Sequence, residues 1–347
     1  MKYYLDNGYV DIPAIVAEPY SFQFLIHGRG TGKTYGALEY VIKNDVKFVY
    51  MRRSQTESDL VTSAAFSPFK PLMDDNPELI IVSERVKHVK NLTAVYRGEL
   101  GEDGKAHAVG EALGYCVALS TVRNIRGFSM EDCEIVIFDE FIPEGSAKKQ
   151  KGEDDALLNA YETINRNREL KGKPPLKLLA LSNANNIAAP IFATLGIMRE
   201  VEKLAAGKKE VYRNAERGIA VYMLHDSPIS AAKADTALYR ATRGTSYANM
   251  AIENAYDQSN WLYVGPQPIA EYKPIAVFDD VCIYRHKSDA RRFYAARLIS
   301  GNPPTFLDEP MSRKKAKRFL FPFFEAWLQG TAYFQDYYCK WRLTTLL

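Results

Sequence analysis

Over the first two-thirds of the chain, short unbroken apolar runs alternate with longer stretches in which apolar residues return every three or four positions. The runs predict strands buried on both faces, and the longer stretches predict amphipathic helices. Phe22-Gln23-Phe24-Leu25-Ile26 reads as a strand. It is followed by a Gly-rich turn, then by Thr34 to Asn44 with Tyr35, Leu38, Val41 and Ile42 at helical spacing. Phe48-Val49-Tyr50-Met51, Tyr115-Cys116-Val117-Ala118-Leu119, Glu134-Ile135-Val136-Ile137-Phe138 and Leu178-Leu179-Ala180-Leu181 are further strands. Between Leu79 and Val117, Val/Ile-rich stretches broken by Gly98, Gly101 and Asp103-Gly104 predict an inserted antiparallel hairpin. Glu153 to Leu170, with Leu157, Leu158, Tyr161 and Ile164 on one face, predicts a helix. The alternation implies an α/β fold, a mostly parallel sheet with helices on both faces.

After His225 the texture changes. Asp226 to Asn260 is rich in Ala, Ser, Thr and Asn and reads as a partly helical linker. From Trp261 a second domain opens with a strand-like run, Tyr272 to Tyr284, and closes with an aromatic-rich helical tail. The expected division is therefore 1–225, 226–260 and 261–347, and a length of 347 residues fits two domains. With 47% apolar and 25% charged residues the chain is globular rather than disordered or fibrous. No apolar run approaches the ~18 residues of a membrane helix, and the N-terminus lacks the plan of a secretory signal, so a cytosolic protein with no membrane partner is expected. Cys116, Cys133, Cys282 and Cys339 stand too far apart for a Cys-x-x-Cys metal site, and reduced thiols are the expectation.

Net charge is only +3, but it is uneven. Residues 1–225 hold 29 basic against 30 acidic side chains, and residues 226–347 hold 16 against 12. Most of the excess lies between Arg285 and Arg318, where ten basic residues face three acidic ones. Such a stripe can neutralise phosphates of a nucleic acid, and a solvated surface is the plainer alternative.

The sharpest chemistry sits in the turn after the first strand. His27-Gly28-Arg29-Gly30-Thr31-Gly32-Lys33-Thr34 matches a phosphate-binding loop at its Gly-Lys-Thr end, with His27 where the pattern has its first glycine. The glycines let backbone N–H groups turn toward phosphate oxygens, and the following helix offers its positive N-terminus. Lys33 would reach the β- and γ-phosphates, and Thr34 would ligate Mg²⁺. More than a hundred residues on, Ile135-Val136-Ile137-Phe138 ends in Asp139-Glu140. Asp139 would hold Mg²⁺ and Glu140 would polarise the water that attacks the γ-phosphate, which favours ATP hydrolysis. Ser182 and Asn183 follow a third strand and can sense the γ-phosphate. Arg166, in Asn165-Arg166-Asn167-Arg168-Glu169, is either an ordinary helix-end cation or an arginine finger for a neighbouring subunit's ATP.

In combination, the loop, Phe48-Val49-Tyr50-Met51-Arg52-Arg53, Ile135 to Ile142, Arg166-Asn167-Arg168-Glu169 and Leu181-Ser182-Asn183-Ala184 resemble the DNA-packaging (encapsidation) ATPases of phi29-like tailed bacteriophages, relatives of the terminase large subunit. The resemblance covers about residues 20–190. It implies a P-loop ATPase domain of RecA-like (ASCE) build and a small C-terminal α+β domain resembling a degenerate RNase H-like nuclease. It also implies a ring, commonly of five subunits, that docks on the portal of a procapsid in the host cytoplasm and drives double-stranded DNA inward with ATP and Mg²⁺. The motor would sit on the portal vertex transiently and be missing from the mature virion. Some relatives also recruit a small structural RNA. Residue by residue, Gly28, Arg29, Gly30, Thr31, Gly32, Lys33 and Thr34 match the phosphate loop. Asp139 and Glu140 match the metal and catalytic acids, and Arg166 the trans-acting finger. Arg52 and Arg53 match a basic pair that reaches nucleotide in the same or the next subunit; Gln55 departs from relatives that carry lysine there.

Two alternatives stand beside the motor. One is a terminase-type large subunit with an active metal-dependent nuclease, which needs about three converging acids. Asp279 and Asp280, adjacent on a strand-like run, would point to opposite faces, and Asp289, Asp308 or Asp336 could complete a set. The other is a cellular helicase or repair ATPase.

Overall fold

The computed structural model describes residues 3–63, 65–125, 128, 130–142, 152–183, 187–207, 209–225, 227–245, 263–344 and 346. The chain forms two compact units, one of residues 1–187 and 203–256, the other of 188–202 and 257–347. These limits differ from those read off composition. Residues 188–202 group with the C-terminal unit, and the described part of the expected linker, 227–245, groups with the first. There it forms the helices Pro228–Ala234 and Ala237–Ala241, the first opening on the proline a helix N-terminus tolerates.

Strands β1 (Phe22–His27), β2 (Phe48–Arg52), β3 (Ile81–Arg85), β4 (Leu92–Leu100), β5 (Ala106–Ala118), β6 (Ile135–Asp139), β7 (Lys177–Asn183), β8 (Val211–Asn214) and β9 (Ile219–Met223) make one sheet of the first unit. Its order is β3-β4-β5-β2-β6-β7-β1-β9-β8. From β5 to β9 every neighbouring pair is parallel, while β3, β4 and β8 pair antiparallel at the two edges. The unbroken apolar runs explain the parallel centre. In β6, Ile135 and Ile137 join one core cluster, and Val136 and Phe138 on the opposite face are equally buried, so both faces are covered. The helix Lys33–Lys43 contributes Ala37, Leu38, Val41 and Ile42 to the same cluster as Leu25, Tyr50, Leu179 and Leu181, which seats it on that face.

The helix expected over Glu153 to Leu170 is shorter. It spans Glu153–Asn165 and stops because Arg166 and Asn167 both take left-handed backbone, φ 43 and 56; a short 3₁₀ turn, Arg168–Lys171, follows. Asn165 diverts its side chain into capping, donating to Glu169 Oε2 at 2.7 Å and accepting from the Leu176 amide at 3.3 Å. Strands β8 and β9, not anticipated from the sequence, extend the sheet beyond β1.

The second unit holds a five-stranded sheet of β10 (Tyr272–Phe278), β11 (Val281–His286), β12 (Phe293–Ala296), β13 (Thr305–Phe306) and β14 (Ala332–Phe334), ordered β13-β10-β11-β12-β14. Helices Pro310–Phe319, Phe321–Leu328 and Tyr337–Thr344 accompany it. The run Tyr272 to Tyr284 is thus a hairpin rather than one strand. Asp279, at φ 54, and Asp280 form its turn, so the opposite-face argument for these two acids does not apply. Among the described residues no helix is long and apolar enough to cross a membrane.

Candidate functional site

Strand β1 delivers the chain into a loop whose conformation only glycine accepts readily. Gly30 and Gly32 have φ of 66 and 83, and a Cβ on Gly32 would lie 2.8 Å from Tyr9 Cδ1. The loop's carbonyls are held from outside. Lys33 Nζ donates to His27 O at 3.1 Å and Gly28 O at 2.7 Å, Lys233 Nζ donates to Arg29 O, and the Val10 amide donates to Thr31 O at 3.1 Å. A trans peptide points its N–H away from its C=O, so carbonyls fixed on one side aim the amides to the other. The helix Lys33–Lys43 begins here with no side-chain cap, so its first N–H groups also await an acceptor. Together these make an anion cradle.

Lys33 is buried, and that burial pulls its ammonium down to about 7, against the upward pull of Asp139. It also donates to Asn183 Oδ1 at 3.2 Å, tying the loop to the end of β7. His27, buried at the end of β1, is held down to about 3 by desolvation and the Lys33 charge, so it is neutral at ordinary pH.

The two acids differ in surroundings. Asp139 is buried at the tip of β6, and it accepts from Tyr50 OH at 2.8 Å, Arg52 Nη1 at 3.0 Å, and Thr34 Oγ1 at 3.1 Å on each carboxylate oxygen. Burial raises the Tyr50 phenol well above its usual range, which keeps it a donor. Glu140 takes left-handed backbone, φ 57, and its side chain is 43% exposed while that of Asp139 is 6%, so Glu140 is the acid that solvent reaches. Arg52 Nη2 binds Glu140 Oε2 at 2.6 Å, so one guanidinium spans both carboxylates.

A cavity of about 350 Å³, within the size range of small-molecule sites, opens beside these groups, with Tyr50, Arg52 and His27 behind its lining rather than in it. It is lined by Gly30, Thr31, Gly32, Lys33, Thr34, Asp139, Glu140, Ser182 and Asn183, joined by Tyr35, Pro68 and Pro71. Because β7 lies between β1 and β6, the carboxyl ends of three parallel strands open into one crevice, where α/β sheets bind ligands. The donors fit the groups they would hold: Thr34 and Asp139 offer hard oxygens to a small divalent cation, and the loop amides with Lys33 suit a polyphosphate.

Other expected residues lie apart from the lining. Gly28 and Arg29 belong to the loop, but their carbonyls turn to Lys33 and Lys233. Arg53 is buried and forms a bidentate pair with Glu153, Nε–Oε1 2.5 Å and Nη2–Oε2 2.9 Å. Arg166 sits at the end of its helix with Nη2 3.4 Å from Phe128 O, outside the lining. Sequence reasoning missed Tyr50, Tyr35, Pro68, Pro71 and Lys233. Tyr50 alone carried a signal: a tyrosine inside a fully buried strand must find a partner for its hydroxyl.

In the second unit, three of the acids considered as metal ligands converge on one arginine. Arg342 pairs through Nη2 with Asp279, through Nη1 with Asp308 Oδ2 at 3.0 Å, and approaches Asp280 Oδ1 with Nε at 3.6 Å. Asp336 instead accepts from the Cys339 amide at 2.9 Å. Among the described residues no group of three or more His, Cys, Asp or Glu side chains could hold a metal ion.

A family model described as podovirus DNA encapsidation protein (Gp16) matches residues 9–268. Among solved structures, the chain is similar to the Phi-28 gp11 DNA packaging motor, at 18% identity and a TM-score of 0.58 over 96% of each chain. It is also similar to the bacteriophage Phi-29 viral genome packaging motor assembly, at 19% identity and a TM-score of 0.60 over 97% of this chain and 98% of that one. At such identities the likeness speaks to fold. No curated protein sequence matches the chain.

Proposed function

The chain belongs to the podovirus DNA encapsidation protein (Gp16) family, and from that membership we propose that it is an ATP-driven motor that translocates double-stranded DNA through the portal into a procapsid. One observation carries the chemical part. The loop hydroxyl of Thr34 meets both oxygens of Asp139 at 3.1 Å, with Glu140 in the same cavity. This juxtaposition, on a parallel sheet, supports the P-loop, RecA-like reading of the first unit.

Thr34 and Asp139 would hold Mg²⁺, which when bound neutralises charge on the β- and γ-phosphate oxygens. The loop amides and Lys33 Nζ would hold the same phosphates, Lys33 exchanging carbonyl partners for phosphate oxygens. Glu140 would orient the attacking water and accept its proton on a carboxylate oxygen. Arg52, bonded to both carboxylates, offsets their mutual repulsion while leaving Glu140 open to solvent. Asn183, bonded to Lys33, would report loss of the γ-phosphate to β7. Because Arg166 stands outside its own cavity lining, it is the candidate to act on a neighbouring subunit's nucleotide in a ring, expected to be pentameric. Residence on the portal vertex in the host cytoplasm, recruitment of a structural RNA, and a C-terminal unit of nuclease ancestry that grips nucleic acid without cutting complete the proposal.

The test separates binding from chemistry. Glu140→Gln should bind a fluorescent ATP analogue with Mg²⁺ as the wild type does, while ATP hydrolysis and DNA packaging are lost. Lys33→Ala should lose binding itself. Mixed Arg166→Ala and Glu140→Gln subunits should recover some hydrolysis, since only then does an intact finger meet an intact acid. Hydrolysis by Glu140→Gln at the wild-type rate would overturn the assignment.

A further inference from the structure

Among the described residues outside those already assigned, a further cation touches the phosphate loop. Lys233, from the helix Pro228–Ala234, donates its Nζ to the Arg29 carbonyl. It packs closely: a Cβ on Gly30 would lie 3.2 Å from that ammonium. The Tyr239 ring stands 5.3 Å from Nζ, a cation–π contact that fixes the side chain from the other side. Lys233 is not among the groups lining the cavity, whereas Gly30 is.

We propose that Lys233 is a positioning residue for polyphosphate: it clamps the Arg29 carbonyl so that the Gly30 N–H points into the crevice. The inference rests on the nucleotide reading above. Its physical content is the planarity of one peptide. The Arg29–Gly30 unit is trans, and its C=O and N–H are antiparallel. Gly30 stands at φ 66, in the region where glycine is least restricted, and the Lys233 bond opposes a flip of this peptide. Lys33 does the same for the preceding carbonyls, at His27 and Gly28, but is itself expected to turn to phosphate. Lys233, lying outside the cavity, can keep its carbonyl when the site is filled. The segment that composition marks as a linker thus supplies part of the nucleotide site.

The experiment uses the full chain labelled with ¹⁵N-glycine, together with titration of a fluorescent ATP analogue and Mg²⁺. Lys233→Met, which keeps the stem and removes the donor, should weaken nucleotide binding about tenfold, the scale of one charge-assisted hydrogen bond. It should also shift the Gly30 amide resonance in nucleotide-free protein, a readout that a lysine touching only bound phosphate would not move. Lys233→Arg should restore both. Tyr239→Leu, which leaves the charge but removes its ring, should weaken binding roughly threefold and serves if Lys233→Met fails to fold. Wild-type binding left unchanged in a folded Lys233→Met with an unmoved Gly30 resonance would overturn the clamp alone. Failure of the wild type to bind nucleotide would overturn the reading beneath it.

Discussion

Arg53 and Glu153 provide a decisive separation of structure from chemistry, because the family resemblance assigns Arg53 to nucleotide while the fold buries it. Arg53 follows β2 and Glu153 opens the helix Glu153–Asn165; both side chains are 7% exposed and share two hydrogen bonds of 2.5 and 2.9 Å. Removing one partner of a buried bidentate pair costs about 3–5 kcal/mol, a fifth or more of a typical domain's ~5–15 kcal/mol. Replacing both by apolar residues of similar volume recovers most of that loss. Guanidinium denaturation followed by far-UV circular dichroism should therefore show Arg53→Met and Glu153→Met each strongly destabilised, and the double variant close to wild type. Two single losses of about 3–5 kcal/mol against a double variant near wild type imply a coupling of about 6 kcal/mol or more, against roughly 0–1 for an exposed pair. Being buried, the coupling should persist in 1 M salt. An Arg53→Met protein with unchanged midpoint but impaired nucleotide binding would refute the argument and return Arg53 to the nucleotide site.

The same geometry makes other expectations specific. Tyr50→Phe removes the 2.8 Å donor to Asp139 and should weaken the Mg²⁺ dependence of nucleotide binding about 10–100-fold at constant fold, as for other residues that orient a metal ligand; an unshifted Mg²⁺ titration would contradict Asp139 as that ligand. Burial pushes the Glu202 carboxyl up from 4.5 to about 7, against the 2.6 Å hydrogen bond it accepts from the Tyr337 amide. A raised folded pKa means the native state holds the extra proton between these values, so this contribution is present below pH 4.5 and lost as pH rises through 7. Glu202→Gln should match the wild type in thermal melts near pH 4.5 and exceed it at pH 8, by at most roughly 3 kcal/mol. Equal melts at both values would show that the carboxyl is solvated.

What was legible in the sequence follows from how local each feature is. The strands of the parallel centre announce themselves because two covered faces demand apolar residues at every position, as in Ile135 to Phe138. The loop glycines and the paired acids are equally local, and the crevice brings together nine of the residues expected there. Strand β8 was hidden because an edge strand, Val-Tyr-Arg-Asn, carries no apolar run. Asp279-Asp280 misled because a hairpin turn and a strand interior look alike when the flanking runs are both apolar. Arg53 and Lys233 were beyond reach for a different reason. Their partners stand 100 and 204 positions away, and only the folded sheet decides whether a cation faces phosphate, a carboxylate or a backbone carbonyl.

The basic stripe shows how the fold reweights a charge count. Of the ten cations between Arg285 and Arg318, Lys317 and five others already have intramolecular work. Arg285 and Lys287 donate to the Ala290 and Ala270 carbonyls, Arg292 to Gln267 Oε1, and Arg297 and Arg313 pair with Asp280 and Asp308. Arg291, Lys314, Lys315, Lys317 and Arg318 are exposed. Three of them, Lys314, Lys317 and Arg318, recur at i, i+3 and i+4 on the helix Pro310–Phe319, whose Ala316 is buried on another side. Phosphate binding that draws on these five exposed cations, Lys317 exchanging its present partner, would neutralise about five charges, and log K against log salt should fall with a slope of about −4.5 rather than the −9 of all ten. The acids that hold Arg297, Arg313 and Arg342 are among those considered as nuclease ligands, so the same pairing that shortens the cationic face also engages Asp279, Asp280 and Asp308 with guanidinium groups. A slope beyond −6 would mean that these pairs open on nucleic acid and release the carboxylates, whereas a flat response would place the grip elsewhere on the chain.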